Sequence, residues 1–276
     1  MNIFKTLALL IGVALIAYIG SHYALSKSGM VAHETAYERV LRTGTLRCGT
    51  FIEPPFTILN TDNTEKGIAH DLALQIASEL SLKVEWGETN FSTLADDLKM
   101  GRYDAICASV FVLPRGGRVD YTMPYAYVPV YGYVNAKDDR FDRPFSEIDW
   151  SKVTIGGLDG EGATLAAQKI LSKAKFDILP QSLQIADMLG AVVSHKTDVG
   201  FVQPTVFQTF DAYNKGVLQK AFLGAPLYNY AVVFAVSPEE QGLKSLLNNE
   251  ILRLKTSGEL ARIMDVYDAE KFVTRP

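Results

Sequence analysis

Apolar runs of strand length alternate with helix-period segments in this chain, and that alternation is its strongest constraint on fold. In a first series, the strand-like runs "LRCGTF", "KVEW" and "DAICASV" are separated by segments at 67–80 and 92–100. The first segment has apolar or small residues at helical spacing, and the second opens with Ser92 as its predicted N-cap. This β-α-β-α-β order predicts a parallel sheet with helices on both faces.

A second series of the same kind follows. The runs "VTIGGL", "FDIL" and "DVGFV" predict strands, and helices are predicted from about Ala163, over 183–194 and from Pro204. Two longer extended segments, "YAYVPVYGYVNA" and "YNYAVVFAV", flank this series, and we expect them to cross between two lobes. Because ligands bind beyond the carboxyl ends of parallel strands, residues 51–56 and 109–115 lie at the expected site.

Composition narrows the class of protein. With 276 residues, 48% of them hydrophobic, the chain can form one large domain or two compact lobes. A net charge of −4 without long basic blocks argues against nucleic-acid binding. The histidines are scattered and no Cys-x-x-Cys or His-Glu-x-x-His spacing occurs, so neither a metal nor a cofactor is predicted. For Cys48 and Cys107, burial as packed thiols is favoured over a disulfide.

The N-terminus has the pattern of an export segment. After Lys5, residues 7–20 are all apolar or small, which is shorter than the roughly 20 residues that span a bilayer. Ala24-Leu25-Ser26 supplies a small-x-small cleavage pattern. Residues 1–26 are therefore interpreted as a cleaved signal or, with a longer apolar stretch over 3–25, as an uncleaved inner-membrane anchor. Both interpretations place the rest of the chain outside the cytoplasm.

Six segments, in this order, resemble the family-3 bacterial extracellular solute-binding proteins, the periplasmic amino-acid-binding type. They are "LRCGTFIEPPF", "GIAHDLALQIASEL", "FSTLADDLKMGRYDAICAS", "PRGGRVDYTMPYAY", "KTDVGFVQP" and "LLNNEILRLKTSGELARIM". The resemblance covers roughly residues 37–276 and implies an α/β, two-lobed periplasmic binding protein type II fold. Lobe 1 would be 37–130 plus 232–276, lobe 2 would be 131–231, and two crossover strands would join them.

The resemblance also implies the function. Such a protein captures a small carboxylate-bearing ligand, an amino acid or related organic acid, between its lobes by hinge closure. From the periplasm it delivers the ligand to an ABC-type importer, whose permease would be its partner. Nothing in this function requires a cofactor or an enzymatic activity.

By the resemblance, Arg115 binds the carboxylate of the ligand. A planar guanidinium forms two parallel hydrogen bonds to a carboxylate, which suits this role. The alternative is a structural ion pair with Asp120 or another acid. The other implied ligand contacts come from the first sheet, namely Phe51 or Phe56, Phe91, Ser109 and Phe111, and from lobe 2, namely Gly160, Glu161, Thr164 and Gln203.

Three departures from the family pattern bear on the ligand. Val112 stands where amino-acid-binding members carry threonine or serine, and Gln203 stands where they place an aspartate for the ammonium group of the ligand. Because an amide cannot supply that charge, a carboxylate without a cationic amine fits better than an ordinary α-amino acid. Glu161 follows Gly160 at a predicted helix N-terminus where members have threonine or serine, so Thr164 is assigned the hydroxyl role. The alternative is that Asp159 and Glu161 complement the helix N-terminus and face water.

Two other functions stay open at this point. The chain also resembles exported cyclohexadienyl dehydratases, which act on prephenate-like dicarboxylates, and Glu161 would then be the candidate general acid. The third possibility is a membrane-anchored ligand sensor, which the uncleaved form of residues 1–26 would favour.

Overall fold

The computed structural model describes residues 16–18, 34–112, 117–180, 182–268 and 271–276. Its strands are β1 (Thr45–Thr50), β2 (Ile58–Leu59), β3 (Glu65–Lys66), β4 (Lys83–Glu88), β5 (Ala105–Phe111), β6 (Asp120–Tyr121), β7 (Ala126–Asn135), β8 (Thr154–Leu158), β9 (Lys175–Leu179), β10 (Val199–Val202), β11 (Leu218–Lys220) and β12 (Pro226–Val236). Its helices are α1 (Ala36–Thr43), α2 (Ile68–Glu79), α3 (Leu94–Lys99), α4 (Gly162–Ile170), α5 (Ile185–Val193), α6 (Pro204–Tyr213), α7 (Gln241–Ser257) and α8 (Glu259–Tyr267).

Ten of the described strands form one mixed sheet, whose main path is β4-β1-β5-β12-β7-β10-β8-β9, with β11 beside β7 and β6 beside β12. β2 and β3 form a separate two-stranded sheet. On one side, β1 is parallel to both of its neighbours, β4 and β5, and we call these three strands the first half. On the other, β8 is parallel to both β10 and β9, which form the second half. In the middle, β12 and β7 are antiparallel to each other and to β5 and β10. The predicted α/β fold with two crossover strands is confirmed.

The two halves direct the carboxyl ends of their strands toward each other. β5 ends at Phe111, which lies beside Val232 of β12. β10 ends at Val202, which lies beside Tyr131 of β7. Between these two levels, β7 and β12 continue as a pair. Since ligands of open parallel sheets bind beyond the carboxyl ends, the gap between the halves is the expected place for a binding site.

The link between the halves is narrow. Residues 127–130 of β7 pair with 228–231 of β12, and we call this paired segment the crossover ribbon. The C-terminal segment joins it, because Tyr127 and Thr274 exchange backbone hydrogen bonds of 2.9 and 2.7 Å. Val273, next to Thr274, is buried in the main core. Within the described part of the chain, the ribbon and this segment together make the link.

Helices cover the sheet with faces whose apolar residues recur three and four positions apart. In α2, Leu72 and Ile76 are fully buried, and so are Leu243 and Ile251 of α7. α2 contacts β5, α7 and α8, so the last two helices of the chain pack on the first half. α4 and α5 pack against β8 and β10 of the second half. The chain therefore returns to its first half after building the second.

A disulfide joins the two cysteines across β1 and β5. Cys48 and Cys107 are bonded, their Cα atoms lie 5.4 Å apart, and both residues are fully buried. The expectation that they pack as free thiols is therefore wrong. The register explains the bond: Cys48 lies beside Ala105, and Cys107, two residues further along β5, projects from the same face of the sheet.

The start of α3 differs from the prediction. The helix begins at Leu94 with Thr93 as its N-cap residue, so Ser92 does not cap it. Instead, the side-chain oxygen of Asn90 accepts hydrogen bonds from the backbone N–H groups of Ser92 and Thr93, at 2.9 and 3.1 Å. An asparagine turn therefore precedes the helix, and its side-chain oxygen is the acceptor for the N–H groups of Ser92 and Thr93.

The predicted export segment lies almost entirely outside the described residues, which include only 16–18 of it. None of the helices in the described ranges is both long enough and apolar enough to cross a membrane.

Candidate functional site

The loop after β1 carries an acid into the space between the halves. Glu53 lies three residues beyond β1 and exchanges two backbone hydrogen bonds with Thr57, each of 3.0 Å. A cis peptide bond joins Pro54 and Pro55 directly after it. The loop then reaches Phe56, which is buried. These contacts fix the backbone of Glu53 at the carboxyl edge of the first half.

The carboxylate of Glu53 contacts Ser109 of β5. The Oγ of Ser109 donates a hydrogen bond of 2.5 Å to it, and Ser109 is fully buried. Burial raises the pKa of Glu53, and the bond from Ser109 opposes this by a smaller amount. Tyr125 is also fully buried, and its pKa is held well above the usual range, mainly by burial and in part by the charge of Glu53. The Glu53 carboxylate therefore lies in a poorly solvated position.

A small cavity lies beside Glu53, between the two halves. It encloses about 10 Å³, which is room for about one water molecule. Its wall includes Glu53 and Phe111 of the first half, Gln203 and Thr205 of the second, and Phe272 of the C-terminal segment. An amino acid is many times larger than this space.

The predicted aromatic contacts form two groups. Phe51 and Phe91 lie together with ring centroids 4.5 Å apart, and Phe91 is partly exposed. Phe111 stacks on Tyr230 of the crossover ribbon at 5.0 Å, and Tyr228 meets Tyr230 edge-on at 5.3 Å. Phe111 therefore joins the cavity wall to the ribbon, whereas Phe51 and Phe91 form a separate pair.

Glu161 caps the helix that follows it. Its carboxylate accepts hydrogen bonds from the backbone N–H groups of Ala163 and Thr164, at 2.9 and 2.8 Å, and from the Thr164 hydroxyl at 3.1 Å. The Thr164 hydroxyl in turn accepts a bond of 3.0 Å from the N–H of Leu158. These donors stabilise a negative charge at the N-terminus of α4. In this structure the Glu161 carboxylate and the Thr164 hydroxyl form hydrogen bonds within the first turn of the helix. Their contact with a ligand stays a prediction.

Two glycines shape this helix start. Gly160 has φ = 73°, a left-handed conformation that glycine adopts without strain, and it is exposed in the turn before α4. Gly162 lies against Tyr230, because a Cβ atom at this position would overlap the Tyr230 hydroxyl. Burial raises the pKa of Tyr230 far above its ordinary value, and the nearby Glu161 charge adds to the shift. α4 therefore touches the crossover ribbon directly.

Gln203 occupies the N-cap position of α6 without a side-chain capping bond, and it lines the cavity. Arg115 belongs to residues 113–116, outside the described ranges, so its role stays a prediction. Its alternative partner, Asp120, is bonded by Lys244 at 2.8 Å and by Gln241 at 2.7 Å. The acid nearest to Arg115 in the sequence is therefore already engaged.

Sequence reasoning missed several residues of the cavity wall, among them Glu53 and Phe272. Glu53 stands in the loop that follows the first parallel strand. Because ligands bind beyond the carboxyl ends of such strands, an acid at that position could have been named as a candidate site residue. Phe272 had no local signal, because only the return of the chain to the ribbon brings it there. Among the described residues, no cluster of three or more histidine, cysteine or acidic side chains is placed to hold a metal ion.

The model of the bacterial extracellular solute-binding proteins, family 3, matches residues 46–269. This chain belongs to that family. The family-3 match includes both sheet halves, the crossover ribbon and the two C-terminal helices.

Curated relatives of this family-3 protein are amino-acid-binding proteins. An L-arginine-binding protein of Pseudomonas aeruginosa is 26% identical over 278 residues, which cover 95% of this chain and 96% of the relative. The ABC transporter arginine-binding protein 1 of Escherichia coli is 23% identical over 218 residues, 77% of this chain and 85% of the relative. The chain is thus similar, over nearly its full length, to proteins named for binding an amino acid.

Solved structures share the fold. The crystal structure of an ancestral amino-acid-binding protein, a precursor of cyclohexadienyl dehydratase, matches with a TM-score of 0.59 and 22% identity, covering 84% of this chain and 99% of that one. A cysteine-binding protein from Campylobacter jejuni matches with a TM-score of 0.59 and 19% identity, covering 85% and 93%. At these identities the likeness establishes the periplasmic binding protein fold of this family-3 chain and leaves its ligand to be argued from the site.

Proposed function

We propose that this chain is an exported solute-binding protein that captures a small carboxylate-bearing solute, an amino acid or a related organic acid, between two lobes. Lobe 1 would comprise residues 37–130 and 232–276, and lobe 2 residues 131–231. The closed, loaded form would be presented to the permease of an ABC-type importer. The name of the Escherichia coli relative, an ABC transporter arginine-binding protein, supports this assignment.

The observation that carries the proposal is the cavity between the facing carboxyl ends of the two halves. Gln203 on one side and Glu53 on the other line the same cavity, and the link between the halves is narrow. A ligand that contacts both sides favours the closed arrangement, because its binding free energy differs between the open and closed states. Rotation of two lobes about a two-strand hinge is a common way to close such a protein around its ligand.

In this proposal Arg115 holds the ligand carboxylate from lobe 1. An arginine suits the task because its planar fork forms two parallel hydrogen bonds to a carboxylate. Arg115 follows β5, and Ser109 and Phe111 at the end of the same strand lie at the gap.

The proposal places the mature protein in the periplasm, after cleavage of residues 1–26. The buried Cys48–Cys107 disulfide supports this, because such bonds form and persist in oxidising compartments. No observation in the described residues favours a membrane-anchored sensor.

A dehydratase activity is not favoured either. The curated relatives are named as binding proteins. Glu161, the candidate general acid, accepts three hydrogen bonds as a helix cap, whereas a general acid must hold a proton and donate it to the ligand. That the chain is not an enzyme stays a prediction.

A thermal-shift screen of the exported protein tests the proposed function. Amino acids, keto acids, dicarboxylates and aromatic acids are added singly to the native protein, to Arg115→Ala and to Arg118→Ala. Arg118 is the matched control, because it is an exposed arginine that pairs with Asp96. A ligand at about 100 times its dissociation constant should stabilise the native protein by roughly 2.7 kcal/mol.

We expect one class of carboxylated solute to raise the melting temperature of the native protein and of Arg118→Ala, but not that of Arg115→Ala. Loss of the shift in both arginine variants would contradict the specific role of Arg115. If no solute of any class shifts the native protein, solute capture itself is contradicted.

A further inference from the structure

The C-terminal segment, residues 271–276, lies where the two halves meet. Phe272 lines the small cavity together with Gln203 and Thr205 of the second half and with Phe111 of the first. Because a space of about 10 Å³ has room for about one water molecule, the side chains that line it lie close to one another. Phe272 therefore stands between the two halves.

The segment is fixed to the last helix, which packs on the first half. Asp268, directly after α8, accepts hydrogen bonds from the backbone N–H groups of Phe272 and Val273, at 2.7 and 2.9 Å. Val273 is buried in the main core, and Arg275 forms an ion pair with Asp265 of α8. The backbone of Phe272 is therefore held by the first half.

The segment also bonds to the crossover ribbon. Besides the two backbone hydrogen bonds between Tyr127 and Thr274, the Thr274 hydroxyl donates one of 3.3 Å to the Tyr127 carbonyl. The two residues form an antiparallel bridge, so the segment lies beside the ribbon as a strand would. A rotation of the second half about the ribbon would move Gln203 and Thr205 relative to Phe272, whose backbone stays with the first half.

The contact at this point is partly apolar. Phe272 is partly buried, and Phe111 and Val128 belong to the same cavity wall. Separation of the halves would expose apolar surface of these side chains to water, which costs free energy in proportion to the area exposed. Phe272 therefore favours the closed arrangement through a contact that is present without a ligand.

We infer that the C-terminal segment sets the balance between the open and closed forms, with Phe272 as the positioning residue that favours closure before any solute binds. The inference rests on the proposed function and goes beyond it, because Phe272 acts through the second half and not on the solute. A closed form that is favoured in advance lowers the free energy that solute binding must supply.

Single-molecule FRET on the ligand-free exported protein tests the inference. Dyes are attached at Met100 of the first half and Tyr213 of the second, which are 73% and 88% exposed. Non-natural side chains carry the dyes, so that the disulfide stays intact. The variants are Phe272→Ala, Phe272→Leu and, as the matched control, Phe176→Ala. Phe176 is a partly buried phenylalanine on β9, the edge strand of the second half.

We expect the closed-to-open ratio to fall at least about 10-fold in Phe272→Ala, because the truncated side chain loses its apolar contact. Phe272→Leu, which keeps most of the apolar surface, should stay within about 3-fold of the native ratio. Phe176→Ala should lower the melting temperature but change the ratio by less than about 2-fold, since its cavity lies within one half. A merely structural role of Phe272 would lower the melting temperature and leave the ratio unchanged.

A second variant covers the case in which Phe272→Ala does not fold. Thr274→Pro removes the N–H group that donates a bond of 2.7 Å to Tyr127, so it loosens the segment from the ribbon and must lower the same ratio.

The outcomes separate this inference from solute capture. An unchanged ratio in Phe272→Ala, an equal fall in Phe176→Ala, or a native protein that is fully open without ligand overturns the role of the C-terminal segment. Each of these results leaves solute capture standing, because the thermal-shift screen tests it with ligands that this experiment does not contain.

Discussion

The Cα atoms of Cys48 and Cys107 lie 5.4 Å apart, and their sulfurs join the first and third strands of the first half. The bond closes a loop of 59 residues, which contains α2, β4 and α3. It therefore ties together the part of the sheet from which Glu53 and Ser109 project.

We expect the double variant Cys48→Ala/Cys107→Ala to lose about 4 kcal/mol of unfolding free energy, because the reduced chain regains the loop entropy that the bond removes. Urea denaturation followed by circular dichroism measures the loss. Native protein unfolded in the presence of reductant should show a similar decrease. A change below about 1 kcal/mol in the double variant would mean that the bond is not formed in the exported protein.

Gly162 should not tolerate alanine, although alanine favours helices by about 1 kcal/mol over glycine. A Cβ atom at this position would overlap the Tyr230 hydroxyl and push α4 from the crossover ribbon. Gly190 of α5 is the control, because no atom lies within 4 Å of its Cβ position. Thermal melts should show that Gly190→Ala stabilises the protein and Gly162→Ala destabilises it. Stabilisation by both substitutions would contradict the contact.

Removing the charge of Glu53 should stabilise the ligand-free protein above acidic pH. The folded-state pKa is raised above the ordinary value of 4.5, so the folded state binds the proton more tightly than the unfolded state. This contribution to stability is complete below pH 4.5 and is lost as the pH rises through the folded-state pKa. Glu53→Gln should therefore melt higher than the native protein at neutral pH, by about 2 to 4 °C for each kcal/mol gained.

The pH dependence provides the control for this prediction. Melting temperatures of the native protein and of Glu53→Gln, measured without ligand between about pH 4 and pH 8, should converge at the acidic end, where Glu53 is protonated. Ser109→Ala removes the described hydrogen bond that lowers the pKa of Glu53. At neutral pH its melting temperature should therefore lie further below that of Glu53→Gln than the melting temperature of the native protein does. Parallel profiles for the native protein and Glu53→Gln would show that the carboxylate is not desolvated.

Glu161 is expected to act as a helix cap. Glu161→Ala should lower the unfolding free energy by about 1 kcal/mol, the usual cost of losing an N-cap, since the N–H groups of Ala163 and Thr164 lose their acceptor. Glu161→Asp, which keeps a carboxylate at the cap, should lose less. Urea denaturation measures both variants. Two results together would contradict the cap role and support a general-acid role for Glu161. They are a Glu161→Ala variant as stable as the native protein, and conversion of prephenate to phenylpyruvate by the native protein.

Most of the elements could be predicted because their signals are local. The helix spacing that places Leu72 and Ile76 on one face of α2, and the short apolar runs of β1 and β5, are visible within a dozen residues. The predicted start of α3 was wrong because the side chains of Asn90, Ser92 and Thr93 can all accept hydrogen bonds from nearby backbone N–H groups. Only the backbone geometry shows which of these residues takes the N-cap position.

The candidate site was predicted less completely. The resemblance named Phe51, Phe91, Ser109, Phe111 and Gln203. The structure brings Phe51 to Phe91, and Phe111 and Gln203 line the same cavity from its two sides. Glu53 was passed over as part of a strand-ending loop. Its significance depends on a hydrogen bond to a residue 56 positions away, and no local pattern reports that contact.

By itself, the sequence determined the two alternating series, the two long extended segments and the class of fold, because strand and helix periods are properties of neighbouring residues. Only the folded chain shows that Glu53 accepts a hydrogen bond from Ser109 while Glu161 caps a helix, and that Cys48 and Cys107 are joined. It also shows that Tyr230 lies against Gly162 and that Phe272 lines the cavity. These outcomes depend on strand register and on burial. Both are set by contacts between residues that are distant in the chain, and those contacts exist only once the sheet has formed.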